Sequence, residues 1–94
     1  MKSLTIPASV TSIEYDAFRN CVGLEKVSIS GGCEIGNQAF EGCISLKTLS
    51  LGSKVTSIGN YAFNECNLTS VTIPNSTTVI GNYAFAENVN LSKL

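Results

Sequence analysis

Cysteine is the side chain in this sequence best suited to chemistry. Four are present, Cys21, Cys33, Cys43 and Cys66, and the 94 residues include no histidine. Thiols in this number could hold a soft metal or close disulfides. A zinc site wants C-x₂₋₄-C pairs and usually histidine, whereas the closest pair here, Cys33 and Cys43, is ten residues apart. Enzymatic chemistry is equally short of parts. General-base catalysis most often uses histidine, and a cysteine nucleophile needs an activating base beside it. The seven carboxylates, Glu14, Asp16, Glu25, Glu34, Glu41, Glu65 and Glu87, are dispersed without an obvious close pair. No catalytic residue, cofactor site or metal site is expected.

The spacing of the cysteines points elsewhere. Cys21, Cys43 and Cys66 keep step with the dipeptide Ala-Phe, which occurs at Ala17-Phe18, Ala39-Phe40, Ala62-Phe63 and Ala84-Phe85, at steps of 22, 23 and 22 residues. Self-similarity at such a period marks a solenoid. The chain divides into one domain, 1–94, of four repeats (1–24, 25–46, 47–68 and 69–91), with Leu94 opening a fifth. Val27-Ser28-Ile29 and Val71-Thr72-Ile73 alternate apolar and polar, the mark of a strand, and Pro7 and Pro74 stop pairing directly after theirs. In the second half of each unit, Asn37, Asn60 and Asn82 stand where an N-cap would start one or two helical or 3₁₀ turns. Asp16 takes that role in the first repeat. Phe63 and Cys66, three apart, then face inward from one short helix.

No repeat can bury its own apolar face at this length, so the copies must stack. Stacking makes internal rows of Leu4, Val27, Leu49 and Val71, of Ile13, Ile35, Ile58 and Ile80, of the four Phe, and of Cys21, Cys43, Cys66 and Asn88. Neighbouring coils bring equivalent Cα atoms near the ~5.5 Å of a disulfide, but parallel Cβ vectors make that bond awkward. The cysteines therefore read as reduced, inward-facing small hydrophobes. Gly36, Gly59 and Gly81 recur with the repeat and read as turn residues rather than phosphate loops. Polar residues between the inward pairs must point outward. Thr5, Lys26, Ser28, Thr48, Ser50, Ser70 and Thr72 form the candidate binding face, because solenoids bind partners on extended concave surfaces. Tyr61 and Tyr83 form a second stripe on the turn side, with Asp16 and Gln38.

Composition narrows the partners. Net charge is −1, only 14% of residues are charged, and the six basic residues are scattered. Nucleic acid, which binds through clustered Lys and Arg, is not an expected partner. No apolar run approaches the ~18 residues of a membrane span. The segments Asn67-Leu68-Thr69, Asn75-Ser76-Thr77 and Asn90-Leu91-Ser92 match the glycosylation pattern, as chance allows in a chain rich in Asn, Ser and Thr.

The stretches Ile6-Pro7-Ala8-Ser9-Val10-Thr11-Ser12-Ile13, Val55-Thr56-Ser57-Ile58-Gly59-Asn60-Tyr61-Ala62-Phe63 and Ile73-Pro74-Asn75-Ser76 give the chain its resemblance to the BspA-like leucine-rich repeats of bacterial and protozoan surface proteins. The resemblance covers essentially the whole chain. It implies a right-handed solenoid, with a parallel β-sheet on the concave face and short 3₁₀ or α turns on the convex face. It also implies a non-enzymatic protein-interaction module of a cell-surface or secreted adhesin that binds host or matrix protein. The asparagine ladder of commoner leucine-rich repeats is missing from its usual column, which here holds Ser9, Gly32, Lys54 and Ser76. Met1-Lys2-Ser3-Leu4 enters the first strand at once and is no signal peptide. The chain is then either intracellular or a piece of a longer secreted protein, and the unfinished repeat at Leu94 favours the second. An intracellular scaffold and an excised or engineered repeat fragment are the alternatives. Uncapped ends, with Leu4 and Ile6 at one and Leu91 and Leu94 at the other, predict self-association, either end to end, by two-fold closure or head to tail, or by exchange of a terminal repeat.

Overall fold

A computed structural model describes residues 2–92. Leu94, the expected start of a fifth repeat, lies outside them. The chain coils four times, and two parallel sheets run across the coils. The first sheet contains β1 (Ser3–Ile6), β3 (Lys26–Ile29) and β5 (Thr48–Leu51), in the order β1-β3-β5. The second contains β2 (Ser12–Ile13), β4 (Glu34–Ile35), β6 (Ser57–Ile58) and β7 (Val79–Ile80), in that order. Register follows the repeat: Leu4, Val27 and Leu49 are partners, as are Ile13, Ile35, Ile58 and Ile80.

The apolar rows meet between the sheets and the turns. Val27, Ile29, Leu46, Ile58, Phe40 and Phe63 are fully buried. The four Phe rings stack at centroid separations of 5.2, 5.2 and 5.5 Å with interplanar angles of 11° or less. Such spacing is within the range of favourable offset stacking.

The turn side corrects the expectation of short helices: no helix occurs among the described residues. The cause is where the backbone N–H groups go. In the first coil, Ala17, Arg19 and Cys21 donate three residues back, to Glu14, Asp16 and Phe18. The residues between them, Asp16, Phe18 and Asn20, donate to Asn37, Ala39 and Glu41 of the next coil at 3.1, 2.8 and 2.8 Å. A helix satisfies each donor within its own segment; here alternate donors tie one coil to the next. Asp16, Gln38, Tyr61 and Tyr83 sit at φ near +60°, as do Asn20, Glu65 and Glu87. These left-handed residues break any helical run. Phe63 and Cys66 are both buried, but from this open turn.

The asparagines change role with it. The Asn60 N–H donates to Asn37 Oδ1 at 2.8 Å, and the Asn82 N–H to Asn60 Oδ1 at 2.7 Å. An asparagine ladder does exist, in the column read from sequence as helix caps. The glycine before each asparagine is set by crowding. A Cβ on Gly36 would lie 2.6 Å from Ile13 O and 2.8 Å from Tyr15 N of the preceding coil. At Gly59 it would lie 2.6 Å from Asn37 N. These glycines are there because backbone meets backbone, and none has positive φ.

Two further expectations fail at the last coil. Val71-Thr72-Ile73 forms no strand; Ser70 alone makes an isolated bridge. The turn feeding it is one residue short, Cys66-Asn67-Leu68 against Cys43-Ile44-Ser45-Leu46, yet Val71 stays buried in the row of Val27 and Leu49. Ile80, placed in the core by its column, is 47% exposed where Ile13, Ile35 and Ile58 are 5, 2 and 1%. Each Ile of this row is covered by the following coil, and Ile80 has none among the described residues.

The stack predicts a graded response to truncation. Phe63→Ala, with a coil on either side, should cost ~3–5 kcal/mol in urea unfolding. Phe18→Ala and Phe85→Ala, at half-buried positions, should cost clearly less; equal losses would contradict the stacking.

Candidate protein-binding face

The β1-β3-β5 sheet presents the residues expected to contact a partner. Register aligns Thr5, Ser28 and Ser50 in one row and Lys26 with Thr48 in another. Thr5, Lys26, Thr48 and Ser50 are exposed and Ser28 is half-buried, while Val27, Ile29 and Leu49 between them are buried. Alternation across the pleat does this. Ser70 and Thr72 are exposed too, but with no fourth strand Ser70 keeps only an isolated bridge and Thr72 is unpaired in any strand. The face is uncharged apart from Lys26 and carries no aromatic ring.

A second surface was not visible in the sequence. An open groove of about 420 Å³ crosses β2, β4 and β6, bordered by Glu14, Tyr15, Glu34, Asn60 and Val79. Tyr15 is 71% exposed there. The signal lay in Ser12-Ile13 and Ser57-Ile58, two-residue strands too short for a periodicity to register. The tyrosine stripe expected on the turn side does form: the Tyr61 and Tyr83 rings stack at 5.3 Å and both are exposed.

The cysteine column faces inward, and its sulfurs act as donors. Cys43 Sγ donates to Phe18 O at 3.2 Å and Cys66 Sγ to Phe40 O at 3.3 Å. Asn88 occupies the same column in the last coil. Its Nδ2 donates to Phe63 O at 2.9 Å, and its Oδ1 accepts from the Leu68 N–H at 3.1 Å. The column is thus selected for a small donor to the carbonyl of the preceding Phe, a rule that reading Cys as a hydrophobe missed. All four cysteines are free thiols, and Cys33, Cys43 and Cys66 are buried. Hydrogen bonding with Cys43 and then burial push the Cys66 thiol well above its ordinary value. Burial, and then the neighbouring Cys43, raise Cys21. Burial, and then the Glu34 carboxylate, raise Cys33.

Dispersed in sequence, the carboxylates still yield one polar cluster. Buried Glu41 accepts from Asn64 Nδ2 at 2.8 Å and Gln38 Nε2 at 3.2 Å, with Arg19 Nε also at 3.2 Å. Every oxygen of Glu41 is thereby engaged in holding three coils together. Leu68 and Asn67, in the first glycosylation match, are respectively buried and hydrogen-bonded to Asn90 of the last. No group of three potential metal ligands occurs among the described residues, and no helix there is long and apolar enough to cross a membrane.

Comparison with known proteins agrees with this architecture. The model of the BspA type leucine rich repeat region (6 copies) matches residues 1–92. A leucine rich cell surface protein from Faecalibacterium prausnitzii is 26% identical with a TM-score of 0.60, over 98% of this chain and 38% of that one. A leucine-rich repeat protein from Bacteroides ovatus is 28% identical, TM-score 0.67, over 98% of this chain and 33% of that one. The leucine rich repeat protein of T. pallidum is 25% identical, TM-score 0.73, over 96% of this chain and 56% of that one. The chain therefore spans between a third and just over half of the length of these structures. No curated protein matches it.

Two outcomes test the column. Asn88→Ala strands the Leu68 N–H and the Phe63 carbonyl, and should cost about 1–3 kcal/mol in urea unfolding. Raised thiols stay protonated in the folded chain after the unfolded chain has begun to ionise. Their contribution is therefore intact below the unfolded value of about 8.5 and declines as pH rises past it. Cys43 works the other way, its thiol lowered by the hydrogen bond with Cys66. With Cys21, Cys33 and Cys66 all raised, urea midpoints should still fall between pH 7.5 and 9.5, and Cys66→Ala should shrink that fall; midpoints that rise over this range would contradict the assignment.

Proposed function

The chain belongs to the BspA-type leucine-rich repeat family, and we propose that it is a non-enzymatic protein-interaction module that binds its partner on the β1-β3-β5 face. One observation carries this: parallel register collects Thr5, Ser28 and Ser50, with Lys26 and Thr48, into continuous outward rows on one sheet. Such rows offer hydroxyl donors and acceptors at strand spacing, which suits the polar backbone of an extended protein segment. The module acts as the repeat region of a cell-surface or secreted adhesin, and its partner is extracellular host or matrix protein. Support comes from the family and from the F. prausnitzii relative, described as a cell surface protein. The near-neutral surface suits a contact governed by shape and hydrogen bonds, without long-range steering.

The test is binding of the 94-residue protein to a panel of purified matrix proteins by surface plasmon resonance. Thr48→Glu with Ser50→Arg, both at exposed positions, should weaken any specific signal by about tenfold or more, equal to ~1.4 kcal/mol. Tyr15→Ala, on the groove of the second sheet, should leave it unchanged. Loss with Tyr15→Ala and retention in the Thr48/Ser50 variant would move the site to the groove; absence of binding across the panel would remove the adhesin reading.

A further inference from the structure

One feature inside the stack is left unused by the β1-β3-β5 face: the groove that crosses β2, β4 and β6. We infer that this groove is a second binding site, for an extended peptide segment carrying arginine, with the guanidinium held by Glu14, Glu34 and the Tyr15 ring.

The repeat builds the groove. Gly36 and Gly59 lie so close to the backbone of the preceding coil that no side chain can stand there, and Ile13, Ile35 and Ile58 are buried in the core. The floor is therefore backbone. Parallel register sets Ser12, Glu34 and Ser57 in one row along one border. Tyr15, Asn37 and Asn60 hold the other border, one to a coil. The volume, about 420 Å³, falls within the ~300–1,000 Å³ of ligand sites. The groove lies on the flank of the stack. Its borders at Glu34, Asn37, Ser57 and Asn60 belong to the second and third coils, each of which has a coil on either side.

Two sets of groups on these borders are unengaged. Glu14 and Glu34 are exposed carboxylates. The ion pairs among the described residues both involve Arg19, and no Lys or Arg borders the groove. A cation entering it meets two carboxylates that no cation among the described residues neutralises. Tyr15, well exposed, adds an aromatic face beside them. Arginine is the side chain that uses both, because its planar guanidinium takes carboxylates through paired N–H groups and stacks on a ring. The second set is the asparagine amides. Asn37 Oδ1 and Asn60 Oδ1 accept from the N–H of the following asparagine, which fixes each amide and leaves its Nδ2 with no acceptor among the described residues. Two fixed donors, one per coil, suit main-chain carbonyls of an extended segment laid along the stack. A neutral oligosaccharide would also use the ring and the amides, but it offers no charge to Glu14 and Glu34. Those two carboxylates decide for the basic peptide.

The probe is a fluorescein-labelled, end-capped peptide, Gly-Ser-Arg-Gly-Arg-Ser, titrated with the 94-residue protein and followed by anisotropy. Saturable one-to-one binding is expected, about tenfold weaker or worse when both arginines are replaced by glutamine. In the protein, Glu14→Gln with Glu34→Gln should weaken it by a similar factor, and Tyr15→Ala by about threefold. Glu65→Gln removes an exposed carboxylate of the turn side, outside the groove, and should change nothing. Thr48→Glu with Ser50→Arg should also change nothing, which separates this site from the β1-β3-β5 face. No saturable binding, equal binding of the glutamine peptide, or an equal loss with Glu65→Gln would overturn the inference. So would binding of cellohexaose that Tyr15→Ala abolishes, in a protein that ignores the peptide, since the groove would then be a saccharide site.

Discussion

Everything in this molecule depends on how closely the coils approach on the turn side. Alternate backbone donors, at Asp16, Phe18 and Asn20 and their equivalents, leave their own segment to bond the next coil at 2.8–3.1 Å. That single arrangement dictates the rest. It forbids a helix, because half the donors are committed elsewhere. It demands left-handed residues to re-aim the chain every few positions, and Asn, Asp, Gln, Tyr and Glu occupy them. It leaves no room for a Cβ at the glycine column and brings the Phe rings into a continuous stack. The hydrophobic rows supply the driving force, but the backbone contact sets the pitch at which they can be filled.

Polar groups inside the stack follow from the same pitch. Each Phe carbonyl is left with acceptor capacity facing the next coil, and a short donor, thiol or amide, meets it. Cysteine does so at little desolvation cost, which accounts for buried free thiols in a column that Asn88 can also serve. Glu41 is the larger case: an ionisable side chain excluded from solvent is acceptable because Asn64, Gln38 and Arg19 surround it, as buried charge requires. Nearby Asn64 Oδ1 is buried with no partner among the described residues, an arrangement that ordinarily costs about 1–3 kcal/mol.

The outward rows are neither constrained nor identified by the core. The β1-β3-β5 face is regular because its inward neighbours are regular, and its Ser, Thr and Lys side chains inherit their alignment from Val27, Ile29 and Leu49. The turn side and the second sheet carry more individual features: the stacked tyrosines, the groove beside Tyr15, and the substitution of Glu14 for glycine. A repeat protein keeps its interior uniform and becomes particular where one copy departs from the others.

Much of this was written in the sequence. The four Ala-Phe pairs determined the coil count and the stacked rings, and the alternation Val27-Ser28-Ile29 determined which side chains face out, since a strand has only two faces. The register of Thr5, Ser28 and Ser50 followed from the repeat length. Tertiary structure alone decided the rest. Asn37, Asn60 and Asn82 look like helix caps until a neighbouring coil competes for the same hydrogen bonds. The glycines look like flexible turns until the facing backbone is in place. Two-residue strands carry no period that a sequence could display. Ile80 belongs to the core by its column yet is 47% exposed, because each Ile of its row is buried by the following coil and none follows it among the described residues, a contact that no single repeat contains.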